Sequence, residues 1–233
     1  MLWPLSGRWL VQHRLTRRTL KARQRAERSA YPPNLALRVH RALSWLHRAE
    51  ELAQAKDGDG QFIFLWISFN AAYATEVDER YRLNEQQTFL DFLRKLVELD
   101  AAQGRFENLV WNAFPGSIRM LLDNPYVFQD FWSFQNGSLP EEEWQRRFAA
   151  AKRVANSALR QRDTVTVLGV VLSRVYTLRN QLIHGGATWS SSVNRDQIRD
   201  CNALMAQLVP LVITVMMDHP GTLWGDACYP VVE

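Results

Sequence analysis

A chain of 233 residues, 47% of them apolar, is long enough for one large domain, and no stretch approaches the roughly eighteen uncharged apolar residues of a membrane span. Two cysteines, Cys201 and Cys228, without metal-ligand spacing suit a reducing cytosol rather than a disulfide scaffold, and the N-terminus lacks the apolar core and cleavage site of a secretory signal. The net charge of +4 is uneven: Arg8, Arg14, Arg17, Arg18, Lys21, Arg23, Arg25 and Arg28 face only Glu27 before Tyr31, a basic arm suited to a polyanionic partner or to plain solvation.

Residues 1–33 form that arm, in which Trp3, Trp9, Leu10, Val11, Leu15 and Leu20 alternate with arginines. The arm fits an amphipathic basic helix on RNA or a membrane surface, or a helix tucked against the main domain. Tyr31-Pro32-Pro33-Asn34 breaks the pattern and marks a domain boundary. Leu35, Val39, Leu43, Leu46 and Leu52 then predict a helix over 35–56, with His40 and His47 on its surface. Lys56-Asp57-Gly58-Asp59-Gly60 resembles part of a calcium loop. In that register the first and last ligands fall on Ala55 and Trp66, so the segment reads as a turn.

The run 61–76 is apolar nearly all round (Phe62, Ile63, Leu65, Trp66, Ile67, Phe69) and predicts a central, buried helix in which Asn70 is the odd residue. Asn84-Glu85-Gln86-Gln87 predicts a capping box for a helix through Leu99. A further helix spans 105–123, interrupted or kinked at Pro115-Gly116. The aromatic stretch 126–136 (Tyr126, Phe128, Phe131, Trp132, Phe134) predicts a short helix packed on the core. Ser138-Leu139-Pro140-Glu141 starts a helix through Trp144, Phe148 and Val154 to about 159.

Asp163 or Thr164 caps the next helix. Its core stripe is Leu168, Val171, Leu172, Val175, Leu178 and Leu182, and beside it runs a polar stripe of Ser173, Tyr176, Asn180 and His184. Gly185-Gly186 stops the helix, which puts His184 in or beside the last turn, where the helix dipole favours a positive charge. Arg179 and His184, five residues apart, point about 140° from each other on a straight helix, so both reach one pocket only if the turn unwinds, the arginine reaches round, or a second copy supplies one of them. Asn194-Arg195-Asp196-Gln197 caps a last helix, bent at Pro210, and the tail from 218 has little pattern. There is no HExxH, GxSxG, P-loop or GxGxxG sequence, and no metal or cofactor is expected.

Arg179-Asn180-Gln181-Leu182-Ile183-His184 resembles the Rx4–6H signature of HEPN domains, including the polar residue after the arginine, and Trp66-Ile67-Ser68-Phe69-Asn70-Ala71-Ala72-Tyr73 is similar to a helix of larger, Apea-like members. The resemblance covers about 34–217. It implies an all-α, multi-helix up-and-down bundle with extra helices, a homodimer with facing motifs, and a metal-independent endoribonuclease of a toxin–antitoxin or phage-defence system, with RNA as substrate and an antitoxin or defence protein as partner. In that reading Arg179 holds the scissile phosphate, His184 moves the proton between the 2′-hydroxyl and the leaving 5′-oxygen, and Asn180 orients His184 or a phosphate oxygen. Asn70 and Tyr176 are further candidates for the substrate side. In members silenced by a nucleotidyltransferase a tyrosine stands two residues after the histidine, and here that position is Gly186. A non-catalytic helical module that binds RNA or protein, and a buried polar network without function, are the competing readings.

Overall fold

The computed structural model describes residues 15–74, 85–192 and 194–227. Within them the chain is an all-α, multi-helix bundle: α1 (Arg17–Glu27), α2 (Pro33–Gln54), α3 (Gly58–Tyr73), α4 (Glu85–Leu99), α5 (Arg105–Asn108), α6 (Pro115–Asp123), α7 (Gln129–Gln135), α8 (Glu141–Gln161), α9 (Thr164–Ile183) and α10 (Arg195–Asp218). No strand occurs among the described residues. Cys228, the arginines before residue 15, and Asn84 of the expected capping box lie outside them.

α10 is the axis of the fold. Every residue from Leu208 to Met217 is buried, because α2, α3, α4, α9 and α1 pack round it. By length and composition this helix could cross a membrane, yet 78% of its most apolar window is covered by the rest of the bundle. Pro210 sits inside the helix without ending it. The carbonyl of Pro210 accepts a 2.7 Å bond from the Thr214 hydroxyl. α3 is less central than its composition suggests. Phe62, Leu65, Trp66, Phe69 and Ala72 are buried, while Ile63, Phe64, Ile67, Asn70 and Ala71 keep part of their surface. A helix apolar on all sides has a face left over when neighbours cover only part of it.

Local signals explain most boundaries. Asp57 accepts from the Gly60 N–H at 2.8 Å and starts α3, and Asp163 does the same for α9 through Thr166 at 3.0 Å. Pro115 opens α6 as its first residue, after a π-helical turn over Leu109–Ala113, so of the two expected alternatives the helix is interrupted. Two expected caps are absent. Pro140 precedes α8 with no side-chain cap, and the Ser138 hydroxyl donates to the Ser133 carbonyl instead. Asn194 precedes α10 with φ of 61° and donates its amide to Gln181 at 2.8 Å. Val154, expected on the apolar side of α8, is 54% exposed.

Both ends of the described chain pack on the bundle. α1 lies on α2 and α10 through Leu20, and Arg23 binds Asp218. Buried Arg38 donates to the Ala72 carbonyl and to the Asp226 carbonyl, and Trp224 is buried beside Phe92. The tail thus has tertiary partners that periodicity does not reveal.

Candidate functional site

α9 carries the motif, and its two sides differ as the sequence pattern requires. Leu168, Val171, Leu172, Val175 and Leu178 are buried, while Ser173, Tyr176 and His184 are exposed and Asn180 is half-buried. α4 approaches α9 closely at Gly169, where a Cβ would stand 2.5 Å from a Leu90 methyl. The C-terminal end is a Schellman cap. Gly186 N–H donates to Gln181 O at 2.7 Å, Gly185 N–H to Leu182 O at 3.2 Å, and Gly185 has φ of 71°. A Cβ on Gly186 would lie 3.0 Å from that same Gln181 oxygen. Both glycines are therefore needed, one for its left-handed backbone and one for close approach.

His184 is the last residue of the helix cap, with its N–H bonded to Asn180 O at 3.0 Å and its imidazole at the surface. Arg179 is half-buried. Its guanidinium turns back along the helix, donates to Asn180 Oδ1 at 2.8 Å and lies 5.8 Å from the Tyr176 ring centroid. Its Nε is buried without a hydrogen-bond partner, and among the described residues it has no ion pair. Arg179, Asn180 and Tyr176 thus form one cluster, and His184 stands apart from it at the end of the helix. No hydrogen bond joins Arg179 to His184.

Asn70 does not join this cluster. Trp66 meets Tyr176 with ring centroids 5.8 Å apart, and Ser190, just after the motif, binds Asp59 at the start of α3. α3 and α9 therefore run antiparallel. Asn70 lies one turn beyond Trp66 in the direction away from Asn180, which separates the two amides by about 12 Å along the helices. Among the described residues the Asn70 amide has no hydrogen-bond partner, and it sits on the uncovered face of α3 with Ile63 and Ile67.

Three supporting groups were not evident from spacing. The Asp57-Gly58-Asp59 turn anchors the loop after the motif: Asp57 Oδ1 accepts from the Trp189 indole at 3.3 Å, and buried Asp59 accepts from Ser190 N at 2.7 Å and from Arg195 at 2.5 Å. Gln181 ties the last turn of α9 to its surroundings, donating to Tyr126 O at 2.6 Å and accepting from Asn194. Arg174 is 3% exposed, and among the described residues its Nε has no hydrogen-bond partner. Its guanidinium carbon lies 4.5 Å from the Phe128 ring and 5.7 Å from that of Phe148, within the aromatic cluster between α7 and α8. Burial pushes this group down to about 10, against weak attraction from Asp130. The only advance signal for these groups is residue type, since each acts across a large sequence separation.

Among the described residues no three His, Cys, Asp or Glu side chains converge as metal ligands. A cleft of about 1230 Å³ opens beside α10, lined by Lys56, Arg105, Arg195, Arg199 and Asn202 among others, and it includes none of Tyr176, Arg179, Asn180 or His184. Of the motif residues, Tyr176 and His184 stand at the surface. That surface is partly apolar, with Tyr176 49% and Ile183 46% exposed. Compared with known proteins, the chain matches no family model, no curated protein and no solved structure. The likeness to HEPN domains rests on the residues quoted for it.

Proposed function

We propose that the chain is a HEPN-type endoribonuclease of the cytoplasm that acts as a homodimer, with Arg179 of one copy and His184 of the other in each of two symmetric sites. The observation that carries the reading is the exposed imidazole at a Schellman-capped helix end, two turns along a solvent-facing stripe from the exposed Tyr176 ring, with the Arg179 guanidinium on the same helix near that ring. The half-exposed apolar side chains Tyr176 and Ile183 on α9, with Ile63 and Ile67 on the adjoining face of α3, supply surface for a second copy. An isologous contact through α9 brings each helix end toward its partner's cluster, which removes the 140° problem within one chain.

In such a site the ribose 2′-hydroxyl attacks the adjacent phosphorus, and the bond from phosphorus to the 5′-oxygen breaks. His184 accepts the hydroxyl proton and returns a proton to the leaving oxygen. Arg179 holds two phosphate oxygens and offsets the charge that grows on them. Asn180 keeps the guanidinium in place through the bond it already accepts. The products are a 2′,3′-cyclic phosphate and a 5′-hydroxyl. The place in a toxin–antitoxin or phage-defence system, with a neutralising or activating partner, rests on the resemblance alone.

The test is cleavage of labelled RNA in EDTA by the full chain and by His184→Ala. Cleavage that ends in cyclic phosphate and disappears with the substitution supports the reading, and cleavage that survives it removes His184 from the mechanism. A non-catalytic binding module is the second reading. It is favoured by the separation of Arg179 from His184 within one chain, and RNA binding by a monomer without cleavage would select it.

A further inference from the structure

A second positively charged surface lies on α1 and α2. The helical repeat puts Arg17, Arg18, Lys21, Arg25 and Arg28 within one sector of about 100° on α1 and its following turn. Leu20 is buried in the bundle, and Gln24, buried at the edge of the sector, accepts from the Lys21 ammonium at 2.6 Å. Two acids adjoin the sector, and both have partners on α1 or the turn after it. Glu27 takes the Arg23 guanidinium at 3.0 Å and the Tyr31 hydroxyl at 2.6 Å, and Glu50 accepts the Arg17 N–H at 2.9 Å. The sector continues onto α2, where the Lys21 ammonium is 3.3 Å from the His40 ring. These charges are close enough to act on one another. Burial, then Arg25, Arg17 and Arg28, hold Lys21 below its usual range, and burial, then Lys21, Arg28 and Arg41, do the same to His40. Across α2, one turn after Arg41, the Trp45 indole is 39% exposed and stacked on Phe64 at 5.4 Å.

We infer that this α1–α2 ridge is a binding track for single-stranded RNA, its guanidinium groups on successive phosphates and the Trp45 ring under a base. The choice of RNA rests on the proposed ribonuclease reading, whereas the preference for a polyanion does not. Four of the five cations on the α1 face are arginines, whose planar forks match phosphate oxygens two at a time. Trp45 stands about 140° round α2 from His40, with Arg41 between them, so the strand crosses α2 to reach a ring on which an unpaired base can stack. A membrane surface fits less well. An interfacial helix needs an apolar face for the acyl boundary, and the large apolar residue of α1, Leu20, is already buried in the protein.

The experiment measures binding of a fluorescein-labelled, mixed-sequence RNA of about 20 nucleotides by anisotropy, in EDTA, with the full chain carrying His184→Ala so that cleavage does not interfere. Arg25→Glu/Arg28→Glu, both at exposed positions, is expected to weaken binding at least tenfold and to lower the slope of log K against log salt by about 1.4, at about 0.7 per lost phosphate contact. Trp45→Leu keeps an apolar partner for Phe64 and is expected to weaken binding about fivefold or more with the slope unchanged. Circular dichroism shows whether each variant is folded. Unchanged affinity in the folded charge-reversal variant overturns the inference, as does binding to phosphatidylserine vesicles with none to RNA. Unchanged affinity in Trp45→Leu overturns the assignment to single strands. Failure of the ribonuclease reading is a separate result: cleavage absent or independent of His184, with ridge-dependent binding intact.

Discussion

Replacing Gly185 tests how the motif helix is ended, and the size of the effect follows from the backbone. At φ of 71° a Cβ crowds the following carbonyl, which costs about 1–2 kcal/mol for a residue other than glycine. Alanine also restricts the unfolded chain, and that offsets about 0.4–1 kcal/mol. Gly185→Ala is therefore expected to destabilise by about 1 kcal/mol, and Gly185→Asn by less, since asparagine tolerates the left-handed region. Gly186→Ala acts by another route. Its Cβ meets the Gln181 carbonyl at 3.0 Å, a backbone atom that moves only by stretching the 2.7 Å bond it accepts. Urea denaturation of the three variants gives the comparison, and thermal melts should show about 2–4 °C per kcal/mol for a chain of this size. Because His184 is the cap residue, RNA cleavage should fall much further than stability in Gly185→Ala. A Gly185→Ala protein as stable as the wild type, or less stable than wild type only to the degree that Gly185→Asn is, would refute the capping argument.

Four further outcomes follow. Burial alone would raise the Asp218 carboxyl, but the hydrogen bonds from Arg105 and Arg23 reverse this and hold it below its usual value. The stability it contributes is present above the ordinary value near 3.8 and is lost as pH falls through the lower folded value, so Asp218→Asn should lower the melting temperature at pH 7 and flatten its fall with acid. Burial pushes the Cys201 thiol up to about 12, so peptide mapping after iodoacetamide treatment should find it unmodified in the native protein and modified in urea. Arg174→Met replaces a buried charge whose Nε has no hydrogen-bond partner among the described residues, and its denaturation midpoint should hold or rise. A loss above about 1 kcal/mol would mean that the contacts with Phe128 and Phe148 outweigh the desolvation. Tyr176→Glu with Ile183→Glu, both on the exposed stripe, should leave a folded monomer by light scattering and abolish cleavage.

What the sequence revealed was mainly local. The 3.6-residue pattern of α2 and α9 set their buried faces, while on α8 the buried residues are Ala155 and Ala158 rather than Val154; Asp163 and Gly185-Gly186 marked the two ends of the motif helix, and Pro115 marked a break. Where a residue type serves two roles, spacing misled: Ser138 and Asn194 have the chemistry of caps but bond to Ser133 and Gln181. Apolar composition marked α3 as a central, buried helix, yet α10 is buried along more of its length, since composition does not count neighbours. The site was half legible. Tyr176, Arg179 and Asn180 lie together because i, i+3 and i+4 positions share a face. Asn70 was a candidate by oddity alone, and antiparallel packing sets it away from the cluster. The roles of Asp57, Asp59, Gln181 and Arg174 depend on contacts distant in sequence, which no period records.

The central claim is that one copy's arginine works with the other copy's histidine, and mixing two inactive variants tests it most directly. Arg179→Ala and His184→Ala, combined in equal amounts and allowed to exchange subunits, form mixed dimers in half of all pairings. Each mixed dimer carries one complete site of two, so cleavage should return to about a quarter of the wild-type rate. A mixture as inactive as its components, with mixed dimers demonstrated by native mass spectrometry, would contradict the shared site.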